Sequence, residues 1–270
     1  MYKKSIKEIS NYLVPFVEGV KYYGSNDIEH TIGTMMILNK HGDILTCRHI
    51  ANEFINNDIL RKDYEKVING SKSVKDDDVV LTNINLPFKA NTLEIKMHKY
   101  LDLAVITSKE GFKINIDKYP VFSKKLPDMG QSVCKLGFAF PEYDLFEYSE
   151  EENNIVIKKD IRPSFPLFPM DGIVTRHIMD KNRELSMFET SSPGIRGQSG
   201  GPIFSPEGLV YGIQSMTKHI DMNFDIDMKV KRGNKLKEVT YTPFINLGVG
   251  VSSVEIIKFL DENKIEYDAK

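Results

Sequence analysis

Short apolar segments separated by turn residues fill the middle of this 270-residue chain, and they restrict its fold more than any other feature. The first two, residues 34–38 and 44–47, flank a turn that contains Gly42, and this arrangement predicts a β-hairpin. Strands so short and so numerous predict a barrel or a sandwich. The further predicted strands are residues 79–84, 93–97, 104–107, 133–138, 155–157, 172–177, 185–189, 202–204, 209–214 and 247–251.

Helical patterns are confined to the two ends of the chain. Residues 3–13 place Ile6, Ile9 and Leu13 three or four positions apart, which predicts a short helix. Ser252 and the serine that follows it predict the start of a C-terminal helix. The segments 141–169, rich in acids and prolines, and 217–240, rich in charge, are predicted to be long loops.

The composition excludes several classes of protein. Hydrophobic residues make up 41% of the chain and charged residues 27%, as in ordinary globular proteins. A net charge of −2 disfavours bulk nucleic-acid binding. The two cysteines are too few for a disulfide framework or a four-cysteine zinc site, so we predict neither a metal nor a cofactor.

The chain shows no sign of membrane insertion or export. No apolar run approaches the ~18 residues that a membrane-spanning helix needs. Lys7 and Glu8 stand where a signal peptide would need an apolar core. We therefore expect a cytoplasmic protein without membrane contact, in which Cys47 and Cys134 are reduced and buried, with a bridge between them as the less favoured alternative.

The segment 194–204 carries the strongest chemical signal. Gly197, Gly200 and Gly201 surround Ser199, and glycines allow a turn in which several backbone N–H groups face one point. Such N–H groups can stabilise the oxyanion that forms when a hydroxyl attacks a carbonyl group. A glycine-rich turn with a surface serine is an equally good interpretation of this segment taken alone. The α/β-hydrolase pattern fails, because Pro202 and a strand follow where that fold needs a helix.

A serine nucleophile needs a base and an acid that orients the base. Of the six histidines, His49 directly follows a predicted buried strand, although a purely structural role is the commoner one for a histidine so placed. Asp102 lies inside the apolar run 101–106, where a carboxylate needs a partner unless it faces outward at the start of the strand. The order His49, Asp102, Ser199 matches that of serine hydrolases built on chymotrypsin-type barrels.

Taken together, these segments resemble those of the trypsin/chymotrypsin-like serine proteases, of the bacterial kind that has no disulfide scaffold. ILTCRHIA (44–51) is similar to the histidine motif of that family, LDLAVI (101–106) to its aspartate motif and GQSGGP (197–202) to its serine motif. KLGF (135–138) and GIVT (172–175) are weaker similarities to Deg-type relatives. LVYGI (209–213) resembles the strand after the serine, and the resemblance covers about residues 31–260.

The resemblance implies an all-β, chymotrypsin-like double β-barrel of two six-stranded barrels, with the catalytic residues in the cleft between them and a helix at the C-terminus. It implies that Ser199 is the nucleophile, that His49 is the general base and then acid, and that Asp102 orients the imidazole. The backbone N–H groups of Gly197 and Ser199 would form the oxyanion hole. We divide the chain into an N-terminal segment with the first barrel (1–118), a second barrel (119–251) and a C-terminal helix (252–270), which together form one protease unit.

Departures from the family pattern bear on activation and selectivity. Gln198 stands where the digestive enzymes carry Asp, which argues against their zymogen switch. Pro193, six residues before the serine, replaces the acid that selects Lys or Arg. The predicted substrate pocket consists of Pro193, Gly194, Ser215, Met216 and Thr217, and is modest and apolar. No extension of PDZ size follows, so we expect a lone protease domain.

The sequence therefore predicts a serine endopeptidase that cleaves proteins or peptides through an acyl-enzyme. Because an unrestrained protease would damage its own cytoplasm, we expect narrow specificity or a regulatory protein partner, with segments 141–169 and 217–240 as candidates for that control. A protease-like binding module without catalysis, and an esterase that uses the same three residues, are the alternatives.

Overall fold

The computed structural model describes residues 1–22, 28–68, 70–71, 73, 79–85, 93–108, 116–139, 146–149, 151, 154–157, 166–179, 185–233 and 235–270. Three α-helices lie in this part of the chain: α1 (Lys3–Ile9), α2 (Arg48–Ile68) and α3 (Ser253–Glu262). None of these helices is long and apolar enough to cross a bilayer. A 3₁₀ turn, Ser10–Tyr12, follows α1.

The remaining elements of the described residues are short strands, as the sequence pattern predicts. In chain order they are β1 (Leu13–Tyr22), β2 (Ile28–Ile37), β3 (Ile44–Thr46), β4 (Val79–Asn85), β5 (Leu93–Met97), β6 (Ala104–Ser108), β7 (Val121–Phe122), β8 (Ser132–Phe138), β9 (Phe146–Ser149), β10 (Asn154–Ile157), β11 (Leu167–Met179), β12 (Leu185–Thr190), β13 (Pro202–Phe204), β14 (Leu209–Asp221), β15 (Ile226–Arg232), β16 (Lys235–Tyr241), β17 (Phe244–Ser252) and β18 (Asp268–Ala269).

The strands form two main sheets. The first contains six strands in the order β4-β1-β2-β3-β6-β5, and among the described residues its two edge strands do not pair with each other. The second closes on itself, because β13 pairs with both β8 and β14 and so completes a ring with β11, β12 and β17. The all-β, chymotrypsin-like fold is therefore confirmed, with the second barrel closed and the first sheet open as a half-barrel.

One hydrophobic core runs through both sheets. The end of β2 and the residue after it, from Met35 to Leu38, are at most 4% exposed, so both faces of this segment are covered. The cluster to which they belong also contains Leu136 and Phe204 of the second sheet. The contact between the sheets is thus part of the core, and residues at this contact are held rigidly.

Helix α2 corrects the expectation that helical structure is confined to the two ends of the chain. Among its described side chains, Ile50, Ala51 and Phe54 are buried, whereas Ile55 and Ile59 are exposed. The helical spacing of the three buried residues begins directly after a strong strand pattern, which concealed the start of the helix. His49, predicted to follow a strand, is the second residue of this helix.

The prediction of a long loop at 217–240 is also wrong. β14 and β17 pair as far as Asp221 and Phe244, and beyond them β15 and β16 form a two-stranded ribbon. We call residues 222–243 the arm. Charged residues alternate with apolar ones along it, as in Ile226-Asp-Met-Lys-Val230, so charge content alone concealed two strands. Within 141–169, β9, β10 and the start of β11 replace part of the predicted loop, and most of its other residues lie outside the described ranges.

Candidate active site

His49 and Asp102 meet where α2 begins and where the chain turns from β5 into β6. The Nδ1 atom of His49 lies 2.8 Å from Oδ2 of Asp102, and the backbone N–H of His49 donates to Oδ1 at 3.0 Å. Ser215, in β14 of the second sheet, donates its hydroxyl to Oδ2 at 2.7 Å. The carboxylate thus accepts hydrogen bonds from both halves of the molecule.

These contacts keep Asp102 ionised. Burial acts to raise the pKa of this carboxyl, but hydrogen bonds from His49 and Ser215 and the adjacent imidazole outweigh it and lower the pKa to about 2. Its side chain is 17% exposed, whereas that of His49 is 49% exposed. An anion at Nδ1 favours the tautomer with hydrogen on Nδ1, which leaves Nε2 as a proton acceptor on the exposed side of the ring.

The turn that carries Asp102 is shaped by His98, a residue with no pattern around it in the sequence. Its Nδ1 atom accepts hydrogen bonds from the backbone N–H groups of Tyr100 and Leu101, at 3.2 and 2.9 Å. Burial lowers the pKa of His98, which keeps this nitrogen unprotonated and able to accept. Arg48 adds hydrogen bonds from α2 to the carbonyl groups of His98 and Lys99, at 3.3 and 3.1 Å.

Ser199 lies in the loop between β12 and β13, and the fold brings it to the same place as Asp102. Its Oγ donates to the carbonyl oxygen of Ser215 at 3.5 Å, and Ser215 is the residue that donates to Asp102. Within the described residues, no hydrogen bond joins Ser199 directly to His49. Catalytic hydrogen bonds are often long without substrate and shorten when it binds.

Thr34 fixes the loop that carries Ser199, although nothing in the sequence singled it out. This fully buried residue of β2 donates its hydroxyl to Gly197 O at 2.7 Å and its backbone N–H to Ser199 O at 2.8 Å. The same hydroxyl accepts from the backbone N–H of Phe138 at 3.0 Å. One side chain therefore ties the first sheet, β8 and the serine loop together.

The loop can take this shape only because of its glycines. Gly197 has φ = +93° and Gly200 has φ = +85°, and at either position a Cβ would collide with a backbone carbonyl oxygen, that of Phe138 or that of Thr34. Thr34 holds the carbonyl groups of Gly197 and Ser199, and the N–H groups of the same two residues donate to no acceptor in the described part of the chain. Two free N–H groups beside a serine hydroxyl are what an oxyanion requires.

Residues of the two predicted pocket walls lie in contact, and polar groups stand between them. Thr217 Oγ1 donates to Gly194 O at 2.6 Å and so joins the two walls. The Gln214 amide lies against Gly194, where a Cβ would collide with its nitrogen. Met216, the residue that most suggested an apolar pocket, is 49% exposed.

An open cleft of about 410 Å³ lies between α2 and the first sheet. Arg196, three residues before Ser199, lines it together with Glu53, which lies one helical turn beyond His49. The Arg196 side chain crosses to the first sheet and donates to His30 O at 2.7 Å. None of His49, Asp102 and Ser199 lines this cleft.

The described residues contain one cluster of possible metal ligands. Cys47, His49 and Asp102 each place a potential ligand atom within 4.8 Å of the other two. Burial and the nearby Asp102 carboxylate raise the pKa of Cys47 well above its ordinary value, and its thiol donates to Gln214 O at 3.2 Å. Cys47 and Cys134 are both free and buried, as predicted.

Comparisons with known proteins agree with this geometry. Residues 33–213 match the model of the trypsin-like peptidase domain. The chain belongs to that family, and it is a serine-type endopeptidase by class. No curated protein matches the sequence.

Solved structures show the same fold at low sequence identity. The serine endoprotease from Yersinia pestis is 14% identical with a TM-score of 0.50, and the match covers 97% of this chain and 66% of that one. An HtrA-type protease, AlgW, solved as a variant with a decapeptide, is 12% identical with a TM-score of 0.51, covering 98% and 68%. The chain therefore spans about two thirds of the length of each.

Thr34→Val should lower kcat by about 10- to 100-fold while KM stays within about twofold, because the serine loop loses its anchor without losing packing volume. Thr34→Ser keeps the hydroxyl and should restore most of kcat. Steady-state kinetics on one fluorogenic peptide, with urea unfolding to compare stabilities, measures both. A Thr34→Val enzyme that retains the parent kcat would contradict a positioning role for this hydroxyl.

Proposed function

We propose that this protein cleaves peptide bonds through an acyl-enzyme formed on Ser199. His49 Nε2 removes the hydroxyl proton as Oγ bonds to the substrate carbonyl carbon. The N–H groups of Gly197 and Ser199 stabilise the resulting oxyanion. Protonated His49 then gives its proton to the leaving amine, and a water activated by the same imidazole hydrolyses the acyl group.

The hydrogen bonding of Asp102 is the observation that carries this proposal. Three donors hold one mostly buried carboxylate, and two of them are the imidazole and the backbone N–H of His49. The same carboxylate is joined to the Ser199 loop through Ser215, whose carbonyl oxygen accepts from the Ser199 hydroxyl. The charge at Nδ1 both fixes the ring and stabilises the imidazolium that forms during the reaction.

Two alternatives share this site. An esterase would use the same acyl chemistry, and a binding module would keep the fold without turnover. The simultaneous presence of the oriented imidazole, the serine and two unpaired N–H groups favours catalysis over binding alone.

Ser199→Ala should fold normally and lose turnover by at least about a thousandfold, because the nucleophile is removed. Ser10→Ala, a serine at the far N-terminus, is the matched control and should keep the parent rate. Hydrolysis of paired peptide and ester substrates gives the rates, and mass spectrometry after fluorophosphonate treatment locates the labelled residue. Turnover by Ser199→Ala within about tenfold of the parent would exclude Ser199 as nucleophile.

We also propose that the arm controls activity or selectivity. β14 carries Ser215 and Thr217 and pairs with β17 up to the base of the arm. A displacement of the arm would therefore move strands that line the pocket. Ile226 pairs with Tyr241 and Met228 with Val239, which places four exposed apolar side chains on one face of the ribbon. A two-stranded ribbon with such a face is marginally stable alone, so a protein partner that covers it would fit this role.

Replacing residues 223–242 with a short Gly-Ser turn should change kcat/KM or the ranking of peptides, because the pocket strands lose their extension. A peptide library assayed with the full chain and the shortened chain measures both quantities. Unchanged activity together with unchanged selectivity would count against control by the arm.

The cytoplasmic location also stays a proposal, supported by the two unpaired, buried cysteines. Fractionation of cells that express the tagged protein from its own start codon tests it. Recovery from a secreted or periplasmic fraction would contradict it.

A further inference from the structure

Lys135 is a fully buried lysine that the proposed mechanism does not use. It lies in β8, between the buried residues Cys134 and Leu136, and is 1% exposed. Its ammonium group donates to Ser192 O at 2.5 Å, to Pro193 O at 2.6 Å and to Thr190 Oγ1 at 3.2 Å. All three acceptors are neutral.

No carboxylate pairs with this ammonium among the described residues. Burial lowers the pKa of Lys135 to about 7, and the Cys134 thiol, which acts in the opposite direction, is the titratable group that influences it. Burying a cation without a counter-charge is unfavourable, and such a site gains stability from an incoming anion.

The ammonium lies directly behind the wall of the predicted pocket. Pro193, one of its acceptors, is the pocket residue that stands six positions before Ser199. On another side, a Cβ at Gly248 would lie 2.6 Å from Nζ, and Gly248 pairs with Thr217 of the opposite wall. Where the acid that selects Lys or Arg is absent, a positive charge from a different strand thus lies behind the pocket wall.

We propose that Lys135 makes this pocket select a substrate with a carboxylate side chain, glutamate or aspartate, at the residue on the acyl side of the scissile bond. The proposal rests on the proteolytic function proposed above. The substrate carboxylate supplies the counter-charge that the protein lacks. The three N–H donors of the ammonium stay on Thr190, Ser192 and Pro193, so the attraction acts across the pocket wall, where burial weakens screening by water.

A carboxamide is the competing ligand chemistry. The Oε1 atom of Gln214, which lines the pocket beside Gly194, is buried and accepts no hydrogen bond from the described residues. A glutamine side chain could donate to that oxygen, whereas glutamate could not. Glutamate and glutamine at the same substrate position therefore separate selection by charge from selection by hydrogen bonding.

Equilibrium binding to Ser199→Ala tests the proposal without any need for turnover. Three peptides that differ only at the acyl-side residue, which is glutamate, glutamine or methionine, are titrated calorimetrically at pH 8 in two buffers of different ionisation heat. The glutamate peptide should bind at least about tenfold more tightly than the other two. Its carboxylate should also raise the pKa of Lys135, so that binding takes up between about 0.5 and 1 proton.

Lys135→Met, of similar length and without charge, should abolish both the glutamate preference and the proton uptake. Lys3→Met, an exposed lysine far from the pocket, is the control and should change neither. If Lys135→Met does not fold, the buffer-dependent heat in the protein that retains Lys135 still decides the question. Equal binding of the three peptides, a preference for glutamine, or glutamate binding without proton uptake would each overturn the proposal.

The two functional proposals fail separately. Peptide hydrolysis by the parent protein without an acid preference would overturn the role of Lys135 and leave the protease function standing. Glutamate-selective binding to a protein that hydrolyses none of the peptides would support the role of Lys135 and contradict catalysis.

Discussion

A single mostly buried carboxylate holds the site together. Asp102 lies in the turn between two strands of the first sheet, His49 in the helix that follows β3 and Ser215 in the second sheet, and all three meet at the two oxygens of that carboxylate. Its pKa of about 2 favours the charged form at neutral pH. An anion in this position stabilises one orientation of the imidazole and one arrangement of the two sheets. The site and the fold therefore depend on the same contact.

The second constraint is the close approach of backbone to backbone under the serine loop. Gly197 and Gly200 leave no room for a side chain, and Thr34 holds the carbonyl groups of Gly197 and Ser199 in place. The N–H groups of Gly197 and Ser199 donate to no acceptor in the described residues, so they are available to a substrate. Preorganised donors of this kind need no rearrangement when charge develops on the attacked oxygen.

Much of this architecture can be predicted from local patterns. The strand segments, the serine loop and the terminal helices each carry a signal within about ten residues of sequence, and the structure places strands and helices there. Helix α2 was missed because it begins directly after the strong strand pattern of residues 44–47, and the arm was missed because charged side chains alternate with its apolar ones.

The residues that sequence reasoning missed are those whose roles depend on distant partners. Thr34 acts on a loop more than 160 residues away along the chain, and Lys135 meets its acceptors 55 to 58 residues away. For Lys135 a signal did exist, since a lysine in the middle of the apolar run VCKLGF is unusual. For Thr34 no local signal exists, because a threonine in a strand is ordinary and its importance follows from which loop packs against it.

The most direct measurement of the central claim is a crystal structure of the protein with a peptidyl boronate bonded to Ser199. The account predicts His49 Nε2 within about 3.2 Å of the serine oxygen, with the ring still bonded to Asp102, and the N–H groups of Gly197 and Ser199 within about 3.1 Å of one boronate oxygen. An adduct in which the imidazole stays out of reach of that oxygen, or a boronate that bonds elsewhere and leaves Ser199 unmodified, would contradict it.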